Sequence, residues 1–103
     1  MIIYSVTVTI SEKVESEWLG WMKEVHIPDV INIGYFFDWQ MQKLLFPEDS
    51  IDEITYVINY YANSFDHYQH YTEKEAPRLQ KEYNAKFKGK YRATRAVYSL
   101  ISK

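Results

Sequence analysis

Residues 2–10 alternate with period two. Ile2, Tyr4, Val6, Val8 and Ile10 fall on one side, and Ile3, Ser5, Thr7 and Thr9 on the other. This pattern, rich in β-branched residues, predicts a strand with one apolar face and one small, polar face. Such a strand belongs in a sheet that is covered on one side, so the rest of the chain must supply both the partner strands and the cover.

The following residues do so in a repeating order. Ser11 offers a helix N-cap, and Glu12, Glu15 and Glu17 follow at the positive helix end. Val14, Trp18, Trp21, Met22 and Val25 recur at helical spacing. Pro28 is expected to break or bend this helix near His26-Ile27, because its ring removes a donor and crowds the carbonyl of Glu24. Tyr35–Phe46 predicts a second strand, with an acidic turn at Pro47-Glu48-Asp49-Ser50, and Glu53–Tyr61 a third. Ser64 can cap a second helix with the stripe Tyr68, Thr72, Ala76, Leu79 and Tyr83, interrupted at Pro77. Gly89 precedes a final strand over Tyr91–Ile101. The order is βαββαβ over residues 1–103, one unit used twice. It predicts a single α+β domain: a ferredoxin-like sandwich with a four-stranded antiparallel sheet and two proline-broken helices on one face. The other sheet face is then bare and calls for a cover, best supplied by a second copy of the same sheet in a homodimer.

Composition limits what such a chain can be. With 103 residues and 12.4 kDa it has room for one core. No run approaches the roughly 20 apolar residues of a spanning helix, and Met1-Ile2-Ile3-Tyr4 passes directly into the strand pattern, so neither a membrane span nor a signal peptide is expected. The absence of cysteine excludes disulfides, thiolate metal sites and a cysteine nucleophile, and makes the cytoplasm the default compartment. Aromatics reach 17%, with ten tyrosines, which points to an interior shared between two chains. Charge is divided along the chain: residues 1–52 sum to −6 and residues 53–103 to +4. The net −2 disfavours nucleic-acid binding, although Arg78–Arg95 is strongly basic and suits a solvated face or an anion patch. A ribonucleoprotein-type third strand would carry a basic-Gly-aromatic motif, whereas Glu53-Ile54-Thr55-Tyr56-Val57-Ile58-Asn59-Tyr60 does not.

Few residues are placed for chemistry. His26 stands at the expected helix break, where it can cap a freed carbonyl or act as a neutral base or ligand beside a helix N-terminus; Asp29 would instead hold it charged. Arg95 shares a strand face with Ala93 and Val97 and needs a carboxylate or a bound anion, with Asp38 as one possible partner. Should that face line the barrel interior, Arg95 with Thr7, Asn59 and a tyrosine hydroxyl would make a polar ligand pocket. Trp21 completes the candidate ligand-binding set. His67 and His70 share a helix face at a spacing that two metal ligands can use, but nothing beyond spacing supports that, a solvated helix face is the preferred reading, and no metal site is assigned. The serines lack a Gly-flanked elbow and the three glycines form no phosphate loop, so no cofactor is called for.

The chain also resembles a known family. Met1-Ile2-Ile3-Tyr4, Val6-Thr7-Val8, Trp18-Leu19-x-Trp21-Met22-Lys23, His26-Ile27-Pro28-Asp29-Val30, Gly34-x-Phe36, Thr55-Tyr56, Tyr60, Ala76-Pro77-x-Leu79 and Arg95 are similar to the domain-of-unknown-function 4286 family. That family is similar in plan to the dimeric α+β barrel superfamily. The resemblance therefore implies a dimer, and a range of activities that includes cofactor-independent oxygenases, haem-degrading enzymes, isomerases and ligand sensors. Haem-degrading members pair a first-strand asparagine with a tryptophan and a histidine on the second helix. Thr7 in the first strand and a second helix without tryptophan depart from that pattern. The expectation is a small homodimeric protein that binds a small aromatic or apolar ligand in a cavity between its sheet and its partner, with His26 as acid/base. The alternative is a non-catalytic structural dimer.

Overall fold

The computed structural model describes residues 1–103. The chain runs β1 (Ile2–Ser11), a 3₁₀ turn (Glu12–Val14), α1 (Glu15–Trp21), a π-helical turn (Met22–His26), α2 (Ile27–Asn32), β2 (Asp38–Lys43), β3 (Glu53–Ala62), α3 (Phe65–Lys74), α4 (Ala76–Phe87) and β4 (Tyr91–Ser99). The strands form one antiparallel sheet in the order β2-β3-β1-β4. The alternating first strand is thus central, pairing with β3 over its whole length and with β4 from Ile2 to Ile10.

Parity decides what each face carries. Tyr4 lies opposite Tyr60 and Val97, and Val8 opposite Tyr56 and Ala93, so one face gathers the apolar set of three strands. Trp18, Met22, Ile27, Val30, Tyr71, Leu79, Tyr83 and Phe87 from the helical segments are buried with that set in a core of seventeen residues. The opposite face carries Ser5, Thr7, Asn59, Gln40, Gln42 and Thr94 around Ile3, Val57 and Ala96. It has no helix over it, as the strand pattern predicts. The aromatic excess is distributed differently from expectation. Tyr4, Trp18, Phe36, Tyr56, Tyr60, Tyr71, Tyr83 and Phe87 are all buried within the core of the single chain, and the uncovered face keeps only Tyr61 and Tyr98. A 103-residue chain can hold so many rings because they stack: Tyr4 lies 5.1–5.9 Å, centroid to centroid, from Phe36, Tyr60, Tyr68 and Tyr71.

The two prolines act less drastically than a break. The first helical segment continues through Pro28 to Asn32, because a π turn takes up the missing bond. The Ile27 N–H reaches the carbonyl of Met22, five residues back, in place of the usual four. Pro77 opens α4 in its first turn, where a missing N–H costs nothing, and Glu75 forms the joint after α3. Ser11 and Ser64 cap as expected, accepting from the N–H groups of Lys13 and His67. The second strand is shorter than Tyr35–Phe46, since after Gly34 (φ 99°) the chain turns Phe36 into the core before pairing begins. At its other end, Asp49 accepts hydrogen bonds from the Thr55 N–H (2.8 Å) and hydroxyl (2.6 Å), closing the loop to β3. No helix is long and apolar enough to cross a membrane.

Phe87 is fully buried at the end of α4, where it packs edge-on against Trp21. Phe87→Ala should therefore cost about 3–5 kcal/mol of stability, read as a lowered denaturation midpoint with an unchanged slope.

Candidate active site between helices and sheet

A cavity lies under the helices, lined by Tyr4, Val6, Val8, Met22, His26, Ile58, Tyr60, Tyr71, Leu79, Gln80, Tyr83, Tyr91, Ala93 and Arg95. Its volume is about 30 Å³, room for a water molecule or two or for the head of a larger molecule. It adjoins an open groove of about 310 Å³ between α4 and the edge strand β4, lined by Gln80, Asn84, Gly89, Tyr91, Ala93 and Arg95. Four residues line both, so the groove is the mouth of the cavity.

Two of the sequence candidates meet here, carried by opposite ends of the chain. His26 closes the π turn, which Pro28 imposes, and turns inward between Trp21 (rings stacked, 5.2 Å) and Tyr83 (edge-on, 5.2 Å). It makes no capping hydrogen bond, so the helix-cap reading of this residue is not realised. Burial pushes its pKa down to about 4; Asp29 pulls the other way, and the charge of Arg95 adds to the depression. At neutral pH the ring is therefore an uncharged imidazole. Arg95 comes from β4, opposite Val6 on the helix-covered face. Edge-strand placement leaves it exposed at the mouth, with its guanidinium beside the Tyr4 hydroxyl. Burial raises the Tyr4 pKa, and the guanidinium opposes that push.

The register separates the remaining candidates. Thr7 and Asn59 lie on the uncovered face, where the Asn59 amide donates to Gln42 Oε1 (3.3 Å). A pocket combining them with Arg95 does not form, because Thr7 and Val6 point to opposite sides of β1. Asp38 also lies on the uncovered face, opposite Tyr61, and its Oδ1 accepts from the Trp39 N–H (2.8 Å), so it is not the ion-pair partner of Arg95. The cavity itself sits between the sheet and the helices of the single chain, not on the uncovered sheet face where a partner was expected. Trp21 stands behind His26 as a stacking wall and does not line the cavity. His67 and His70 flank the Tyr35 ring at 6.2 and 6.0 Å and do not line the cavity, and no third potential metal ligand clusters with them.

The tyrosine hydroxyl expected beside Arg95 has several candidates, none of which the sequence singles out. Tyr4, Tyr60, Tyr71 and Tyr83 bring their side chains to the cavity wall, and burial raises the pKa of each, so they remain protonated hydrogen-bond donors. A signal for them was present: Arg95 shares its face with Ala93 and Val97, and apolar neighbours mark the covered side on which Tyr4 and Tyr60 also lie.

A ferredoxin-like sheet, helices on one face and a cavity between the two layers define a small α+β fold shared with dimeric ferredoxin-like proteins. The chain matches the family described as Domain of unknown function (DUF4286) over residues 1–101, and it belongs to that family. Solved structures share the fold. A dimeric ferredoxin-like protein from an uncultured marine organism is 19% identical, with a TM-score of 0.67, covering 100% of this chain and 97% of the other. An antibiotic biosynthesis monooxygenase-like protein from Bacillus cereus is 15% identical (TM-score 0.65, covering 99% and 94%). A cofactor-independent oxygenase from Streptomyces nogalater is 7% identical (TM-score 0.61, covering 99% and 95%). No curated protein matches the chain.

The depressed pKa of His26 has a consequence for stability. Between about pH 4 and the ordinary value of 6.5 the unfolded chain binds a proton at this residue that the folded chain refuses. Stability from this group is complete above pH 6.5, falls as pH drops through that window, and is lost by about pH 4. The loss should approach about 3 kcal/mol. Comparing urea midpoints of the wild type and His26→Gln across pH 4–7 checks it, the variant showing the flatter profile.

Proposed function

We propose that the protein is a cytoplasmic homodimer that binds a small aromatic or apolar molecule with an acidic, oxygen-bearing head. The head enters the helix-side cavity and the body lies in the groove between α4 and β4. His26 acts as the acid–base group of a cofactor-independent isomerase or oxygenase. The observation that carries this reading is the convergence of a neutral, half-buried histidine and an unpaired arginine on one cavity.

The chemistry follows from those two groups. A neutral imidazole can take a proton from a bound carbon acid or phenol. The negative charge left on the ligand is held by Arg95, which has no carboxylate partner of its own, and by the Tyr4 hydroxyl beside it. Return of the proton to another carbon isomerises the ligand. Addition of the anion to dioxygen, with the imidazolium protonating the resulting peroxide, oxygenates it. Both walls of the mouth come from the basic stretch Arg78–Arg95, which raises the local concentration of an anionic ligand. Volume supports the division of the ligand: about 30 Å³ inside suits a head group, and about 310 Å³ outside suits a ring.

A thermal-shift screen with phenols and aromatic carboxylates tests the binding. Anionic members should stabilise the wild type, and Arg95→Gln should weaken their affinity about tenfold or more. His26→Gln should keep binding and abolish any turnover. A wild type that none of these compounds stabilises would leave the alternative of a non-catalytic dimer. That alternative draws on the uncovered face, whose polar groups partner one another: Tyr61 donates to Gln40 (2.9 Å), Asn59 to Gln42 (3.3 Å), and Thr9 pairs with Thr55 (2.7 Å).

The homodimer has a separate test. Light scattering should give twice the 12.4 kDa chain mass at micromolar concentration. Val57→Lys, which places an unpaired charge at the middle of the uncovered face, should shift the mass to that of one chain while far-ultraviolet circular dichroism stays unchanged.

A further inference from the structure

Among the cavity tyrosines, Tyr83 is held in a way the others are not. Its hydroxyl oxygen accepts a hydrogen bond from the Nε1–H of Trp18, a fully buried side chain on α1. An indole nitrogen only donates, so this bond uses the phenol oxygen as acceptor and leaves the phenol's own proton to go elsewhere. No protein acceptor takes it, since the bond with Trp18 is the one side-chain hydrogen bond that Tyr83 makes. Neighbouring phenols are spent differently: Tyr91 donates to Asn84 Oδ1 and Tyr56 donates to Glu15 (2.5 Å). Tyr83 lines the cavity and meets the His26 ring edge-on at 5.2 Å.

A buried hydroxyl with its oxygen pinned from behind suits a donor preorganised toward charge that develops in front of it. We infer that Tyr83, held by Trp18, donates the hydrogen bond that fixes the ligand's oxygen inside the cavity, and so selects ligands whose head carries an oxyanion. This inference rests on the proposed binding site and assigns it a third group beside His26 and Arg95. Trp18 touches no ligand and is a positioning residue. Burial keeps the Tyr83 hydroxyl protonated at working pH, as a donor must be. The arrangement also explains why a tyrosine stands at a core position of α4 where phenylalanine would fill the space: the hydroxyl needs a partner on burial, and Trp18 supplies only half of its capacity.

The probe is para-nitrophenol, whose anion is coloured, with nitrobenzene as the matched ring that keeps the nitro group and lacks the phenolic hydroxyl. The wild type should bind the phenolate in preference to nitrobenzene and lower the pH at which the bound probe ionises. Tyr83→Phe should weaken the phenolate about tenfold, leave nitrobenzene unchanged, and move the ionisation midpoint back toward that of the free probe. Trp18→Phe should do the same to a smaller extent, about threefold. Circular dichroism melting verifies that each variant is folded; should Tyr83→Phe not fold, Trp18→Phe decides the point. Phenolate affinity equal to wild type in the deciding variant, with Arg95→Gln still weakened, overturns the role of Tyr83 and leaves the site intact. A wild type that shows no preference for the phenolate overturns both.

Discussion

The pairing register of β1 is the constraint on which the rest depends. Because side chains alternate along a strand, the alignment of Val6 with Ile58 and Arg95 fixes the side on which every strand residue lies. A slip of one residue would carry Arg95 to the polar face beside Thr7, and Tyr4 and Tyr60 out of the core. The register is held by burial, since Tyr4, Val8 and Ile10 on β1 and Tyr56, Ile58 and Tyr60 on β3 must all leave water together. Arg95 is the exception carried along on that face. An arginine tolerates it because β4 is an edge strand, where the stem can pack on the apolar side while the guanidinium reaches the mouth.

The other half of the site depends on a helix that cannot remain regular. Pro28 denies the carbonyl of Glu24 its usual donor and would collide with it in an α-helix. Widening to a π turn over Met22–His26 relieves the collision and lets the segment run on to Asn32 instead of ending. His26 is the last residue of that turn, so the irregularity and the candidate base share one cause. The ring is then fixed from both sides, by Trp21 and Tyr83, in surroundings too poorly solvated to favour its charged form.

Much of this was legible in the residues. The period-two alternation of Ile2–Ile10, the serine caps and the order of elements led to the sheet and helix arrangement, and both Arg95 and His26 stood out because their positions needed a reason. The partnership of the two was less legible, because strand parity is defined only within a strand. Relating the face of Arg95 to that of Thr7 requires the register between β4 and β1, which no local pattern encodes. The apolar company of Ala93 and Val97 was the local clue, since both pack against the core on the helix-covered side. Likewise, Pro28 announces a defect in the helix, but whether the chain breaks or passes through a π turn is decided by the packing of Ile27 and Val30 into the core. Tyr83 read as one member of a helical stripe, since nothing in its spacing reveals the indole of Trp18 across the core, 65 positions earlier.

The electrostatics of the cavity argue for an anion between its two nitrogenous groups. A histidine whose pKa lies near 4 is a weak base, poorly matched to proton transfer at neutral pH. Its weakness comes from burial first, with the positive charge of Arg95 contributing in the same direction. Both causes are altered by a ligand that becomes negative as it loses its proton. The new anion screens His26 from Arg95 and adds to the counter-charge that Asp29 alone supplies too weakly to offset desolvation, so the basicity of His26 rises as the transfer proceeds. A neutral ligand of the same shape would provide neither effect. The low pKa of the free site and the proposed role as base are therefore compatible under one condition, that the product of the proton transfer stays bound beside Arg95.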